Sequence, residues 1–202
     1  TLPDFLVGLL LAGGFSAALV PALRRMGPQD RRQLYLDVSL RVGLLFSALG
    51  LGVFLMPGLV PAVFAPGMAP ETVAPYLDTF SIVALSLPFA ALTGVAAAFL
   101  NANEKFFIAG LGTLIFNATV IAALVLYFDP ETAFWTLGLA VVSATCLRWA
   151  IQLPFTRSVS PGAAIFRPKR VTRGLAVQFG AGVLASGMLV MAPVVFRTIL
   201  SV

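Results

Sequence analysis

The sequence predicts an all-α fold, a polytopic transmembrane bundle of six membrane-spanning helices. Three observations predict it. Of the 202 residues, 59% are hydrophobic and 10% charged, and the mean hydropathy is +1.00. A water-soluble domain carries roughly 25% charged residues, so this chain has too few to cover a surface facing water. Its apolar residues gather into six runs, each longer than the about 20 residues that cross the hydrocarbon core as a helix. Its charges fall between the runs, basic and acidic by turns, which is the loop asymmetry of a multi-pass membrane protein. No period-two alternation is sustained, which argues against a membrane β-barrel. Eighteen glycines and many alanines supply the small residues on which helices pack in lipid, where the hydrophobic effect does not hold them together.

The chain is organised around Ala97 to Ile121, where two apolar runs meet across a short polar break, Asn101 to Lys105. Only a tight turn fits there, so the two runs are expected as adjacent antiparallel helices. The six spans are expected at 2–23, 38–64, 76–100, 106–128, 133–155 and 174–202. The first contains Asp4, Gly13-Gly14, Ser16 and Pro21 and ends on Arg24-Arg25. The stretch from Arg24 to Arg41 is read as a loop that is partly helical around Arg31 to Val38. Pro88, in the middle of the third span, is expected to kink it, with neighbouring helices covering the freed carbonyl. Asn101 and Asn103 are read as capping residues of the turn. Both ends of the chain read as cut within a longer protein.

Loops 24–41, 101–105 and 156–173 carry the Lys and Arg excess, while Ala65 to Pro75 and Asp129 to Glu131 are acidic. The basic loops are therefore expected in the cytoplasm, with the first helix running inward and the sixth outward. The net charge of +5 reflects this bias. The basic residues sit in short loops rather than on a docking face, so no nucleic-acid partner is expected. The chain has no histidine and one cysteine, Cys146, inside an apolar run. That removes histidine catalysis, most zinc sites and any internal disulfide. With no nucleophile-and-base pair, no P-loop and no metal-spaced cluster, neither an enzyme nor a cofactor is expected. Transport driven by a gradient or by the membrane potential is left open.

Ionisable groups within spans are the informative residues, because each costs about 2.5–3.5 kcal/mol at mid-bilayer on insertion scales. Asp4 and Asp78 lie near outer span ends and read first as interfacial acids. Arg148, in the inner half of the fifth span and one turn before Gln152, either snorkels to the cytoplasmic headgroups or faces a cavity and an anion. Arg197, near the outer end of the sixth span, is either interfacial or turned inward, where its planar fork suits a phosphate or pyrophosphate. Asn117, in the middle of the fourth span, is either an interhelical hydrogen-bonding group or a cavity residue.

In order along the chain, Leu2-Pro3-Asp4, Leu11-Ala12-Gly13-Gly14-Phe15-Ser16 and Val20-Pro21 resemble the second transmembrane helix of the MurJ/MviN lipid II flippases. These belong to the multidrug/oligosaccharidyl-lipid/polysaccharide exporter superfamily. Ala65-Pro66-Gly67 resembles that family's outer loop. Leu100-Asn101 with Phe106 and Asn117 resembles its fourth-to-fifth helix hairpin, and Gln152-Leu153-Pro154 the end of its sixth helix. Arg197 falls where many members carry a basic residue in helix seven.

The resemblance covers nearly the whole chain and implies helices two to seven of about fourteen. It implies a transporter of the bacterial inner membrane that moves lipid-linked peptidoglycan precursor from the inner to the outer leaflet by alternating access. The implied partners are a lipid-linked saccharide pyrophosphate, membrane lipids and, in a scaffold alternative, cell-envelope synthesis proteins. Arg197 and Arg148 are the implied contacts for the substrate's negative charge, with Asn117, Ser16 and Asp4 as further substrate-binding candidates. The chain departs from the family where members carry an arginine pair and an acid, which here are Val7, Gly8 and Ala12. The cationic cavity is thinned to that extent. Export of another polyprenyl-linked saccharide and a non-transporting scaffold are therefore carried as alternatives.

Overall fold

The structure is a computed structural model that describes residues 15–64, 70–127, 129 and 132–158. Eight α-helices follow one another in it: α1 (Phe15–Arg24), α2 (Pro28–Leu55), α3 (Leu59–Phe64), α4 (Pro70–Val73), α5 (Leu77–Ala84), α6 (Leu87–Ala102), α7 (Phe106–Tyr127) and α8 (Ala133–Ser158). No strand occurs among the described residues. Among the described residues, three helices are long and apolar enough to cross a membrane: Pro28–Leu55, Phe106–Tyr127 and Phe134–Arg157. A fourth span forms if Glu71–Ala84 and Leu87–Ala102, bent by 42° at their junction, are taken together. Of the expected first span only Phe15–Arg24 is described, and the expected sixth span lies outside the described residues.

The helix α6 is the central pillar. Its sequence, LPFAALTGVAAAFLNA, is mostly small, and ten of its sixteen residues are buried. Small side chains let neighbours approach from every direction, and α1, α2, α7 and α8 all pack on α6. Val95, Ala98, Phe99 and Ala102 meet Leu19 and Leu23 of α1 and Leu34, Tyr35 and Val38 of α2 in one apolar cluster. Within it the Tyr35 and Phe99 rings lie with centroids 4.5 Å apart. On another side of α6, Phe89 packs against Trp149 of α8 at 5.8 Å. Away from the pillar the surface is apolar. Leu44, Leu45 and Leu55 of α2, and Phe107, Leu114, Val125 and Leu126 of α7, are all exposed. Patches of that extent belong in lipid rather than water.

Helix α2 begins ten residues before the apolar run that marks the second span. Hydropathy registers only the apolar part. Helix formation also follows Pro28 in the first turn and Asp30 beside the helix's positive end, so the charged stretch is helical. The far end of the run breaks at Met56-Pro57-Gly58, and the short α3 follows.

The bend between α5 and α6 has a local cause. Pro88 has no N–H, so the carbonyl of Ala84, four residues earlier, loses its helical partner. The chain tightens there: Leu85 N–H bonds to Ile82 O at 3.0 Å and Ser86 N–H to Val83 O at 2.9 Å. The Ser86 hydroxyl also donates to Val83 O at 2.6 Å. Helix α2 crosses directly over this break with Gly50. A Cβ added at Gly50 would sit 2.7 Å from Ala84 O and 3.6 Å from Pro88 Cδ. The freed carbonyl is therefore covered by a neighbouring helix, and only glycine allows that helix to come so close.

The α6–α7 turn closes as a Schellman motif. Lys105 N–H bonds to Leu100 O at 2.9 Å and Glu104 N–H to Asn101 O at 3.2 Å, which satisfies the last carbonyls of α6. Asn103 is the C-cap residue, and its amide donates to Phe99 O at 2.7 Å. Glu104 takes φ 61°, a left-handed conformation that costs a non-glycine residue about 1–2 kcal/mol. Glu104→Gly is expected to stabilise the protein by about 0.5–1 kcal/mol, read as a higher midpoint in thermal unfolding of the purified protein in detergent. A midpoint at or below wild type would show that Glu104 contributes contacts that outweigh the strain.

Arg31, in the first turns of α2, ties this turn to the end of α1. Its Nε donates to Leu23 O at 3.0 Å, its Nη2 to Met26 O at 3.2 Å and its Nη1 to Asn103 Oδ1 at 2.6 Å. The basic stretch after α1 and the α6–α7 turn therefore share one end of the bundle. At the opposite end, Tyr76 and Phe134 meet edge to face at 5.0 Å.

Candidate functional site

The C-terminal half of α8 carries a polar stripe. Thr145, Arg148, Gln152 and Thr156 recur at spacings of three and four and so share one helix face. The two threonines bond to their own helix, Thr145 to Val141 O at 2.6 Å and Thr156 to Leu153 O at 2.8 Å. The two longer side chains between them do not. Gln152 is 0% exposed, and neither its amide oxygen nor its amide nitrogen has a hydrogen-bond partner. The Nε of Arg148 is buried and equally unpartnered. Buried polar groups are normally satisfied, so these three atoms, one turn apart, make this face of α8 the candidate site.

The facing helix makes room for them. Gly112 is the one buried residue of α7, and a Cβ there would lie 3.0 Å from Arg148 Cγ, 3.1 Å from Gln152 Nε2 and 3.3 Å from Arg148 Nε. The backbone of α7 thus lies directly against both side chains. On α6, Thr93 stands one turn beyond Phe89, the residue that contacts Trp149, and it too is fully buried with an unpartnered hydroxyl. A guanidinium fork beside a primary amide offers several N–H donors and one carbonyl acceptor. That set suits an oxyanion better than a cation. Among the described residues no group of three or more His, Cys, Asp or Glu lies together.

The other sequence candidates fall elsewhere. Asn117 is exposed on α7, five residues and about 140° around the helix from Gly112, so it is not brought to Arg148. Ser16 is half-buried on α1, a helix that packs on the Val95–Ala98–Ala102 side of α6 rather than on the side facing α8. Asp4 and Arg197 lie outside the described residues. Asp78 is exposed in the first turn of α5, where the helix dipole favours an acid.

Sequence reasoning passed over Gln152 and Gly112 as site residues. The signal available for Gln152 was its i,i+4 spacing from Arg148, flanked by threonines on the same face. Nothing in the sequence singles out Gly112 among eighteen glycines. Asp37, read from the sequence as lying in the partly helical stretch within loop 24–41, is 2% exposed on α2. Its Oδ1 pairs with Arg41 at 3.1 Å, and its Oδ2 has no partner.

Apolar helices of spanning length packed around a small-residue pillar, with the half-buried Arg148 beside the fully buried Gln152, define a polytopic α-helical membrane protein. All of residues 1–202 match the family model for the lipid II flippase MurJ, and the chain belongs to that family. Its members are membrane transport proteins of peptidoglycan biosynthesis. Comparison with curated proteins and with solved structures returned no match.

Proposed function

We propose that the chain serves to move a lipid-linked saccharide pyrophosphate of the lipid II type from the inner to the outer leaflet by alternating access. The observation that carries this reading is the match of all 202 residues to the lipid II flippase family. The site supports it chemically. A guanidinium held within an apolar bundle gains far more from an anion there than it would in water. The reading places the protein in the bacterial cytoplasmic membrane with loops 24–41, 101–105 and 156–173 on the cytoplasmic side. The hydrogen bond from Arg31 to Asn103 agrees with a shared side for the first two. Arg148 and Arg197 meet the substrate's charge, with Asn117, Ser16 and Asp4 as further contacts along its path.

In the full-length protein, Arg197→Ala and Arg148→Ala are each expected to lower lipid-linked precursor translocation by roughly tenfold or more, since hydrogen bonds to charged groups contribute about 1.5–3 kcal/mol. Undiminished transport by either variant would remove that arginine from the site. A second reading, a scaffold for cell-envelope synthesis proteins, is favoured by Val7, Gly8 and Ala12 standing where the family carries charges. Reversing Arg24, Arg25 and Arg157 while leaving Arg148 intact separates the two. Loss of partner recruitment with translocation retained supports a scaffold role. Recruitment that survives reversal, with translocation lost only on Arg148 or Arg197 substitution, excludes it.

A further inference from the structure

We infer that α7 is a hinged cover over Arg148, Gln152 and Thr93, fixed at the α6–α7 turn and lifting from α8 so that water reaches these groups. The seam it covers is tight and unsatisfied at once. A Cβ at Gly112 would meet Arg148 Cγ at 3.0 Å, Gln152 Nε2 at 3.1 Å and Arg148 Nε at 3.3 Å. The α7 backbone therefore lies against both side chains with no room for a further atom between. Yet Arg148 Nε, both amide atoms of Gln152 and the Thr93 hydroxyl are buried without a hydrogen-bond partner. Thr93 belongs to the same level of the bundle. It stands one turn along α6 from Phe89, as Gln152 stands one turn along α8 from Trp149, and those two rings are in contact. Close packing without hydrogen bonds is the least favourable way to bury polar groups, because they lose water and gain no partner in exchange. Lifting α7 returns the water. The closed seam is held against a standing cost that the open one is spared.

The contacts decide which helix moves. Helix α8 is gripped on its other sides. Ile82 of α5 packs on Gly138, with its Cγ2 3.1 Å from the Cβ position there, and Phe89 of α6 packs on Trp149. Ala140, Ala144 and Thr145 of α8 are buried as well. Helix α7 has one buried residue, Gly112, in its 22. Few buried contacts mark the elements that open first. The apolar side chains of α7 lose little on leaving α8, since lipid replaces protein as an equally apolar neighbour. One end of α7 stays fixed. Lys105 N–H is bonded to Leu100 O at 2.9 Å, and Asn103 of the same turn is held by Arg31. Gly112 lies seven residues past Lys105, about 10 Å along the helix, so a tilt about the turn clears the seam. A partner of any kind reaches Arg148 Nε and Gln152 only after α7 has lifted. The movement is confined to one helix of the bundle and needs no assumption about what is transported.

The test uses the full-length protein in nanodiscs, in a cysteine-free background that carries Cys146→Ala. Thr145→Cys places a thiol on the same face of α8, at a position 5% exposed, and a water-soluble thiosulfonate reads how often the seam is wet. Labelling is expected to proceed despite the burial. It should slow by roughly tenfold with Gln152→Leu and with Arg148→Met, each of which removes a buried polar group whose desolvation opposes closure. The thermal midpoint of both variants is expected to rise, since an apolar side chain of similar size leaves nothing unsatisfied. Gly112→Ala is expected to speed labelling, because its Cβ wedges the seam apart. Ala98→Cys, at a position 0% exposed in the cluster with α1 and α2, serves as the control that stays unlabelled throughout. A lower midpoint or a failure to fold in Gln152→Leu and Arg148→Met overturns the inference, because it shows that these groups support the closed packing. A labelling rate that neither variant changes overturns it as well, as does a thiol from Thr145→Cys that is as inert as the control.

Discussion

Gly50→Val is expected to destabilise the protein strongly, and to do so through backbone rather than side-chain collision. Gly50 crosses the α5–α6 break, where a Cβ would lie 2.7 Å from Ala84 O, closer than nonbonded carbon and oxygen settle. Overpacking a tight site typically costs about 1–3 kcal/mol, because side chains near it can move aside. Here the obstacle is a carbonyl fixed by the proline one turn on, so the cost falls at or above that range. Two branches on Cβ widen the clash toward Pro88 Cδ, 3.6 Å from the Cβ position. Gly52, two residues along the same helix, has nothing within 4 Å of its Cβ position. Gly52→Ala is therefore expected to be neutral or slightly stabilising, since alanine favours a helix over glycine by about 1 kcal/mol. Thermal unfolding of both variants in detergent distinguishes a packing effect from general intolerance of substitution in α2. Equal midpoints for the two would show that α2 shifts freely over the break.

Arg31→Ala is the second large effect. One guanidinium closes three hydrogen bonds, to Leu23 O, Met26 O and Asn103 Oδ1; Leu23 O lies in the last turn of α1 and Met26 O two residues past its end. The C-terminal end of a helix carries partial negative charge, which a cation offsets. Because the site is half-buried, the full worth of three charge-assisted bonds does not apply, and a loss of about 2–3 kcal/mol is expected for the set. Asn103 keeps its bond to Phe99 O, so the α6–α7 turn should survive while its attachment to α1 loosens. Arg31→Lys keeps the charge but not the fork, and should recover less than half of the loss. Hydrogen exchange gives the decisive readout: faster exchange at the amides of Met26 and Arg31 with little change at Lys105. Uniform protection in the variant would mean that the apolar cluster of Leu23, Leu34 and Phe99 holds this end without the arginine.

The membrane class, the hairpin at Asn101 to Lys105, the capping role of Asn103 and the bend at Pro88 are all local properties. Each follows from composition, from run length or from one residue's covalent limits, so each is legible without knowing the neighbours. The start of α2 was legible only in part, because hydropathy follows apolar residues while helices follow backbone hydrogen bonds and caps. Arg148 stood out because any ionisable group in an apolar run is costly. Its partners did not stand out. Gln152 is an ordinary polar residue until its burial and its two unpartnered atoms are known, and Gly112 is one small residue among many.

What the sequence by itself determined is therefore the class of protein, its family and the places where its helices bend or turn. Only the tertiary structure decided that α6 is the pillar, that Gly50 covers the carbonyl freed by Pro88, that Arg31 joins two helix ends, and that Gly112 lies under Arg148 and Gln152. The physical reason is common to all four. In lipid, hydrophobicity places a helix in the membrane but does not choose its neighbours. That choice rests on close backbone approach and on a few polar contacts between residues far apart in the chain.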